Sequence, residues 1–286
     1  MLTQTQNSAC EHKFATGISR LVAIGVLTGF TSALFAAGGA PIVIFGLLWF
    51  CGYSMKETIG PSLATLAAGA LVGFSLRFYL QSGDLYLRMA MTMLPFGVAG
   101  VIAGHRLARR WSSKFLQGCF SCIVVFVGLK MLGISVFPTL SVPQGDVYWL
   151  LCGTAALAGF GSRMLGTGGG LLTVPVLMYA GLVPHQALIT SLCLNIPIMV
   201  FGATLNLSGE SPRWREVSFI IFGAIVGASI GAYISYTYVP DAALRMLFGG
   251  LLVASAAITM SSCAFRAFQI HTVPSMRLQR QESSPI

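Results

Sequence analysis

The residues with the most specific chemistry form a glycine cluster, Gly166-Thr167-Gly168-Gly169-Gly170, with Pro175 following. A matching pair, Gly38-Gly39, is followed by Ala40 and Pro41. Glycine lets the backbone turn sharply and leaves its amides uncovered by side chains. A helix that starts at such a turn presents unpaired N–H groups and the positive end of its dipole, which suits a bound anion. The same glycines also suit tight helix packing, and the sequence leaves both readings open. Thr190, Ser191 and Asn195 place two hydroxyls and an amide on or near one helix face just before Pro197, and Ser62 and Thr65 are their approximate counterparts beside Pro61. These groups can hydrogen-bond an oxyanion without a counter-charge, or can join helices to one another. Arg163 stands about one turn before the glycine cluster in an apolar stretch, where a charge costs about 3 kcal/mol on insertion scales. It suits bidentate contact with an oxyanion, or snorkelling to an aqueous vestibule. The candidate binding set is Gly38, Gly39, Ser62, Thr65, Arg163, Gly168, Gly169, Gly170, Thr190, Ser191 and Asn195.

The chain that must position these residues has 286 residues, of which 55% are hydrophobic and only 9% charged, with a mean hydropathy of +0.80. A soluble domain carries roughly a quarter charged residues. Most of this surface must therefore face lipid. Apolar runs fall near 18–36, 40–52, 58–80, 88–105, 115–135, 147–165, 169–182, 187–207, 217–236 and 244–263. Their lengths predict an all-α polytopic membrane bundle. The runs 40–52 and 169–182 are too short to cross alone, since about 13 residues of helix reach about 20 Å against a hydrocarbon core of about 30 Å. Each follows a glycine cluster and an earlier apolar helix, which is how a re-entrant or broken hairpin would be written.

The two short runs belong to an internal repeat. An offset of 130 carries Gly29-Phe30 onto Gly159-Phe160 and Gly38-Gly39 onto Gly168-Gly169. An offset of 129 carries Gly52 onto Gly181, Ser62-Leu63 onto Ser191-Leu192 and Gly73 onto Gly202. Offsets of 127 to 128 carry Gly100, Gly104 and Phe120 onto Gly227, Gly231 and Phe248. The predicted organisation is a cytoplasmic segment 1–17, a first membrane repeat 18–135, an external linker 136–146, a second repeat 147–263 and a cytoplasmic tail 264–286. Lys13 and Arg20 before an apolar run, and Ala33-Leu34-Phe35-Ala36, loosely imitate a signal peptide with its cleavage site. Cleavage is not expected, because it would remove one repeat's first helix.

Charge orients the halves. Arg106, Arg109, Arg110 and Lys114 form the densest basic loop and are expected inside, while 136–146 has no Lys or Arg and is expected outside. Arg266, Arg277 and Arg280 of the tail, Arg213, Arg215, Lys56 and Lys13 then also fall inside. Five segments per half is an odd number, so the second half enters from the opposite side. Inverted duplication is the signature of alternating-access transporters with a site near the midplane.

Several other functions are disfavoured. The net charge of +9 is spread between apolar runs with no basic face for nucleic acid. Seven cysteines, mostly in apolar segments, do not make a disulfide framework, and Cys119 and Cys122 read as packing residues. Glu57, Asp84, Asp146, Glu210, Glu216 and Asp241 all fall at loops or helix ends, so no buried carboxylate relay is visible, and His105 groups with the basic loop. No Walker motif, nucleophile–base pair or metal cluster stands out, so no cofactor is expected and the chain does not read as an enzyme.

The string Gly159-Phe160 to Gly168-Gly169-Gly170, then Pro175, Leu177, Gly181, Ala187, Thr190-Ser191-Leu192 and Gly202, resembles the TauE/SafE sulfite exporter-like family, also called the 4-toluene sulfonate uptake permease family. The resemblance covers almost the whole chain. The first half departs from the pattern: Ala40 replaces the third glycine, Phe45 stands at the spaced proline, and Pro61 precedes Ser62. Arg163-Met164 departs from the small and apolar residues usual before the cluster. The resemblance implies export or uptake of sulfite, sulfonates or short carboxylates. The expectation is a secondary transporter of small anions in a bacterial-type inner membrane, with an anion channel or a non-transporting membrane assembly factor as the alternative. Its partners would be a small anionic substrate and the lipid bilayer. A coupling proton or cation and a homo-oligomer stay open.

Overall fold

The computed structural model describes residues 2–36, 39–51, 53, 57–80, 86–107, 113–132, 147–207 and 214–272. Gly38 of the candidate set and Cys119's side chain lie outside the described part. Among the described residues there are ten helices and no strand: α1 Leu2–Phe35, α2 Ala40–Phe50, α3 Ile59–Leu80, α4 Leu87–Leu107, α5 Ser113–Met131, α6 Val147–Leu165, α7 Gly170–Tyr179, α8 Pro184–Leu207, α9 Trp214–Tyr238 and α10 Asp241–Thr272. The protein is an all-helical, multi-pass membrane protein. Ile18–Phe35, Ile59–Leu80, Leu87–Leu107, Pro184–Asn206 and Trp214–Tyr238 are each long and apolar enough to cross a membrane. Large apolar side chains such as Trp49, Tyr79, Trp149 and Phe222 are exposed, as a lipid-facing surface requires.

Apolar side chains lose little by facing lipid, so helix association here depends on close packing more than on the hydrophobic effect. The small residues show where that packing occurs. A methyl group on Gly29 would meet the Ala224 carbonyl at 2.0 Å, and one on Gly159 would meet the Gly97 carbonyl at 2.0 Å. One on Gly227 would meet Val26 O at 2.0 Å, and one on Gly100 would meet Ala156 O at 2.0 Å. The offsets of 130 and 127 that relate the repeats turn the first member of each pair into the second. Thus α1 packs on α9 as α6 packs on α4. Contacts advance together along both helices of these pairs: Val22, Val26 and Phe30 face Gly223, Gly227 and Gly231. These pairs are parallel.

The centre is different. α3 and α8 are repeat counterparts and pack on each other antiparallel. Gly73 lies beside Leu192 while Gly202 lies beside Leu63, a reciprocal pair under the offset of 129. They are also the most enclosed of these spans, more than half of each apolar stretch being buried.

The two short helices begin inside the bundle. Gly39 packs on the Thr28 carbonyl and Gly169 on the Ala158 carbonyl. Both levels are about 10 Å back from the ends of α1 and α6. The chain thus doubles back along each long helix before the short one starts. The reversal is made by left-handed backbone, at Gly166 (φ 71°), Gly168 (φ 77°) and Gly169 (φ 77°) in the second half. In the first half Ala36 holds φ 56° at the position matching Gly166, while Gly39 is right-handed at φ −82°. Gly39 and Gly169, though matched in sequence, therefore differ in backbone hand.

Candidate functional site

The N-terminal end of α7 meets the middle of α8. Asn195 Nδ2 donates to Thr173 Oγ1 at 3.0 Å and to Ser191 Oγ at 2.9 Å, and the two hydroxyls are 2.6 Å apart. Asn195, Ser191 and Thr190 stand on neighbouring turns of α8, which places the first two toward Thr173, one turn into α7. All four are fully buried. Asn195 Oδ1 has no partner and faces Gly169, where an added methyl would lie 2.9 Å from it. Thr190 Oγ1 and Thr167 Oγ1 are likewise buried without a partner. A buried polar atom without a hydrogen bond is costly, typically about 1–3 kcal/mol. Two of these residues, Thr167 within the glycine turn and Asn195 with its Oδ1 toward Gly169, stand at one helix start.

The first half contributes Ser62 at the edge of the same turn: a methyl on Gly166 would meet Ser62 Oγ at 2.7 Å. Ser62 donates to Ile59 O and Thr65 to Pro61 O, so both hydroxyl protons are used within α3. Gly168 is covered by Met199 and Leu66, and Gly170 is the buried first residue of α7. Gly39 belongs to the other hairpin, beside Thr28, whose own hydroxyl is buried and unpartnered. The repeat is not chemically even, because Asn195 corresponds to Leu66 and Thr173 to Val43.

Arg163 is not part of this cluster. Its Nη1 donates to Asn206 Oδ1, and its Nη2 lies 2.8 Å from His105 Nδ1. Asn206 stands about 16 Å further along α8 than Asn195. Arg163 is thus held at the common end of α4, α6 and α8, 9% exposed. Neither this arginine nor Arg77 has a carboxylate partner among the described residues.

Two residues outside the candidate set carry weight. Thr173 is hidden in an apolar string, and its one signal is a spacing of one turn after Gly169-Gly170. Arg77 is completely buried, donating from Nη2 to Ala33 O at 3.0 Å and to Ser235 Oγ at 2.7 Å. Its clue is the offset of 129 that places it on Asn206, for both residues end the central helix of their half. Among the described residues no group of three or more His, Cys, Asp or Glu could hold a metal ion.

Comparison with known proteins agrees with the membrane architecture. A "Probable membrane transporter protein" of Xylella fastidiosa strain 9a5c is 27% identical over 241 residues, covering 82% of this chain and 91% of that protein. A protein of the same description from Haemophilus influenzae is 28% identical over 234 residues, covering 73% and 83%. No solved structure matches. The model of the family described as "Sulfite exporter TauE/SafE" matches residues 1–131 and 151–284, and this chain belongs to that family.

Proposed function

We propose that this membrane transporter is a secondary carrier of small anions, with sulfite, organosulfonates and short carboxylates as the substrate class, working by alternating access between two inverted halves. The observation that carries the reading is the start of both short helices inside the bundle, at Thr28 and Ala158. Helix N-termini placed at that depth from both halves offer amide donors to one central anion. The antiparallel packing of the counterparts α3 and α8 supports inversion. The unpartnered Asn195, Thr190 and Thr167 oxygens support a polar seat at the second hairpin. Hydroxyls can turn to donate to an oxyanion, and the amide of Asn195 can do so by exchanging the positions of its oxygen and nitrogen. Arg163, with no carboxylate partner among the described residues, attracts an anion toward the end expected to be cytoplasmic. The halves 18–135 and 147–263 and an inner-membrane location with both termini inside complete the reading.

The test is uptake of radiolabelled sulfite, an alkyl sulfonate and a short carboxylate into proteoliposomes holding the purified protein, with and without a proton gradient. Saturable uptake that competes with unlabelled anion supports a carrier. Flux linear in the gradient points to a channel, and no flux in pure liposomes points to an assembly factor.

A further inference from the structure

The end of the bundle opposite Arg163 holds a guanidinium–imidazole pair that the anion seat does not use. Arg77 of α3 reaches Ala33 of α1 and Ser235 of α9 with Nη2, while its Nη1 lies 3.5 Å from His185 Nδ1 on α8. One side chain therefore closes four helices on each other. On its other side His185 Nε2 is 3.2 Å from Val239 O. A carbonyl can only accept and a guanidinium can only donate. A neutral ring with its proton on Nε2 and its Nδ1 lone pair toward Arg77 satisfies both neighbours. The groups facing the ring are Arg77 from α3, Asp241 from α10 with Oδ1 3.8 Å from Nε2, and the Tyr236 ring of α9 at 5.9 Å. The imidazole is partly open, its side chain 16% exposed, so water reaches it from that end.

We propose that His185 is a proton-binding site of the transport cycle, and that a proton taken by its Nδ1 opens the Arg77 closure at the end expected to be external. This rests on the carrier reading above and identifies its coupling ion. A hydronium at the mouth gives its proton to Nδ1 and leaves as water. The imidazolium then presents an N–H to the guanidinium's own N–H, so the attraction becomes a like-charge repulsion between two donors. Among the described residues no other hydrogen bond links Arg77 to α8, whereas Asp241 stands ready to pair with the imidazolium on the α10 side. The N-terminal end of α8 is thereby released from α3 and drawn toward α10. Histidine is the side chain whose ordinary titration falls between pH 5 and 8, which fits a carrier whose five long apolar spans hold one carboxylate, Glu216 in the first turn of α9. Arg163 and His105 make a similar pair at the other end.

The experiment reads the closure without substrate. Spin labels are placed at Tyr79→Cys on α3 and Val183→Cys before α8, both exposed positions, after replacement of the native cysteines. Their separation is measured by pulsed electron resonance at pH 8 and pH 5. The expected result is a shift to longer distance at pH 5 that is lost in His185→Gln, which keeps an acceptor for Arg77 and a donor for Val239. In Asp241→Asn, more acid is required for the same shift. A separation independent of pH, or an acid-driven shift that survives His185→Gln, overturns the proposal. Because no anion is present, these outcomes do not depend on whether the protein carries sulfite.

Discussion

Asn195 Nδ2 donates to Thr173 Oγ1 at 3.0 Å, so the middle of α8 is tied directly to the first turn of the short helix α7. That bond makes the α7 start a fixed part of the bundle and leaves Asn195 Oδ1 toward Gly169. Replacing Asn195 by Leu leaves Thr173 and Ser191 bonded to each other, so the fold survives at a cost of about 1–2 kcal/mol for the lost hydrogen bonds. With the proposed anion seat at this cluster, the KM for anion uptake should rise, because an amide is lost from it. Thr173→Ser should behave like the parent, and Thr173→Val should behave like Asn195→Leu. Equal KM values across the series would remove this cluster from the binding site.

Gly29 and Gly159 occupy matched close approaches. Alanine at either position places a methyl about 2 Å from a backbone carbonyl, and relief requires helix separation costing about 1–3 kcal/mol. Thermal melts in detergent should show similar losses for the two variants. Gly153→Ala and Gly250→Ala, with open space around the added methyl, should melt like the parent. A large loss at one matched position and none at the other would contradict the equivalence.

Left-handed backbone gives a further contrast. Gly166→Ala adds a side chain at φ 71° and presses it on Ser62, so stability should fall by about 1–2 kcal/mol. Ala36→Gly relieves the same conformation at φ 56° but adds chain entropy to the unfolded state and removes a buried methyl. Its melting temperature should stay near the parent's. The comparison is sunk if both changes destabilise equally.

Arg163→Ala removes donors to Asn206 and His105 together with the charge. Transport of sulfite should fall at least about tenfold, equivalent to about 1.4 kcal/mol, while membrane insertion and yield stay unchanged. Parental kinetics would leave the guanidinium a structural tie between α4, α6 and α8.

Much of the architecture was legible in the sequence because a membrane constrains length so strongly. The short runs 40–52 and 169–182 gave helices 40–50 and 170–179, and the glycine spacing of 29, 100, 159 and 227 marked true helix crossings. What spacing could not separate was the role of each glycine. Gly29 and Gly159 permit approach, Gly166 and Gly169 permit left-handed turns, and both kinds read alike as letters. The polar residues of α8 stood out in the sequence, but their partner on α7 did not, because Thr173 looks like one more small residue of an apolar helix. Arg77 was harder still. It lies three residues from the end of an apolar run, where arginines ordinarily snorkel, and its partner Ser235 is 158 positions away in sequence. Arg163 stood out by its position, yet sequence distance from Gly168 said nothing of the chain doubling back between them.

Alternating access between inverted halves requires the two short helices to enter from opposite faces. With the native cysteines replaced, Phe50→Cys at the end of α2 and Val183→Cys after α7 put single thiols at exposed positions of the two hairpins. A membrane-impermeant maleimide added outside intact cells should label Val183→Cys at once and Phe50→Cys only after permeabilisation. Labelling of both thiols from the same side would contradict inversion and, with it, the shared central seat.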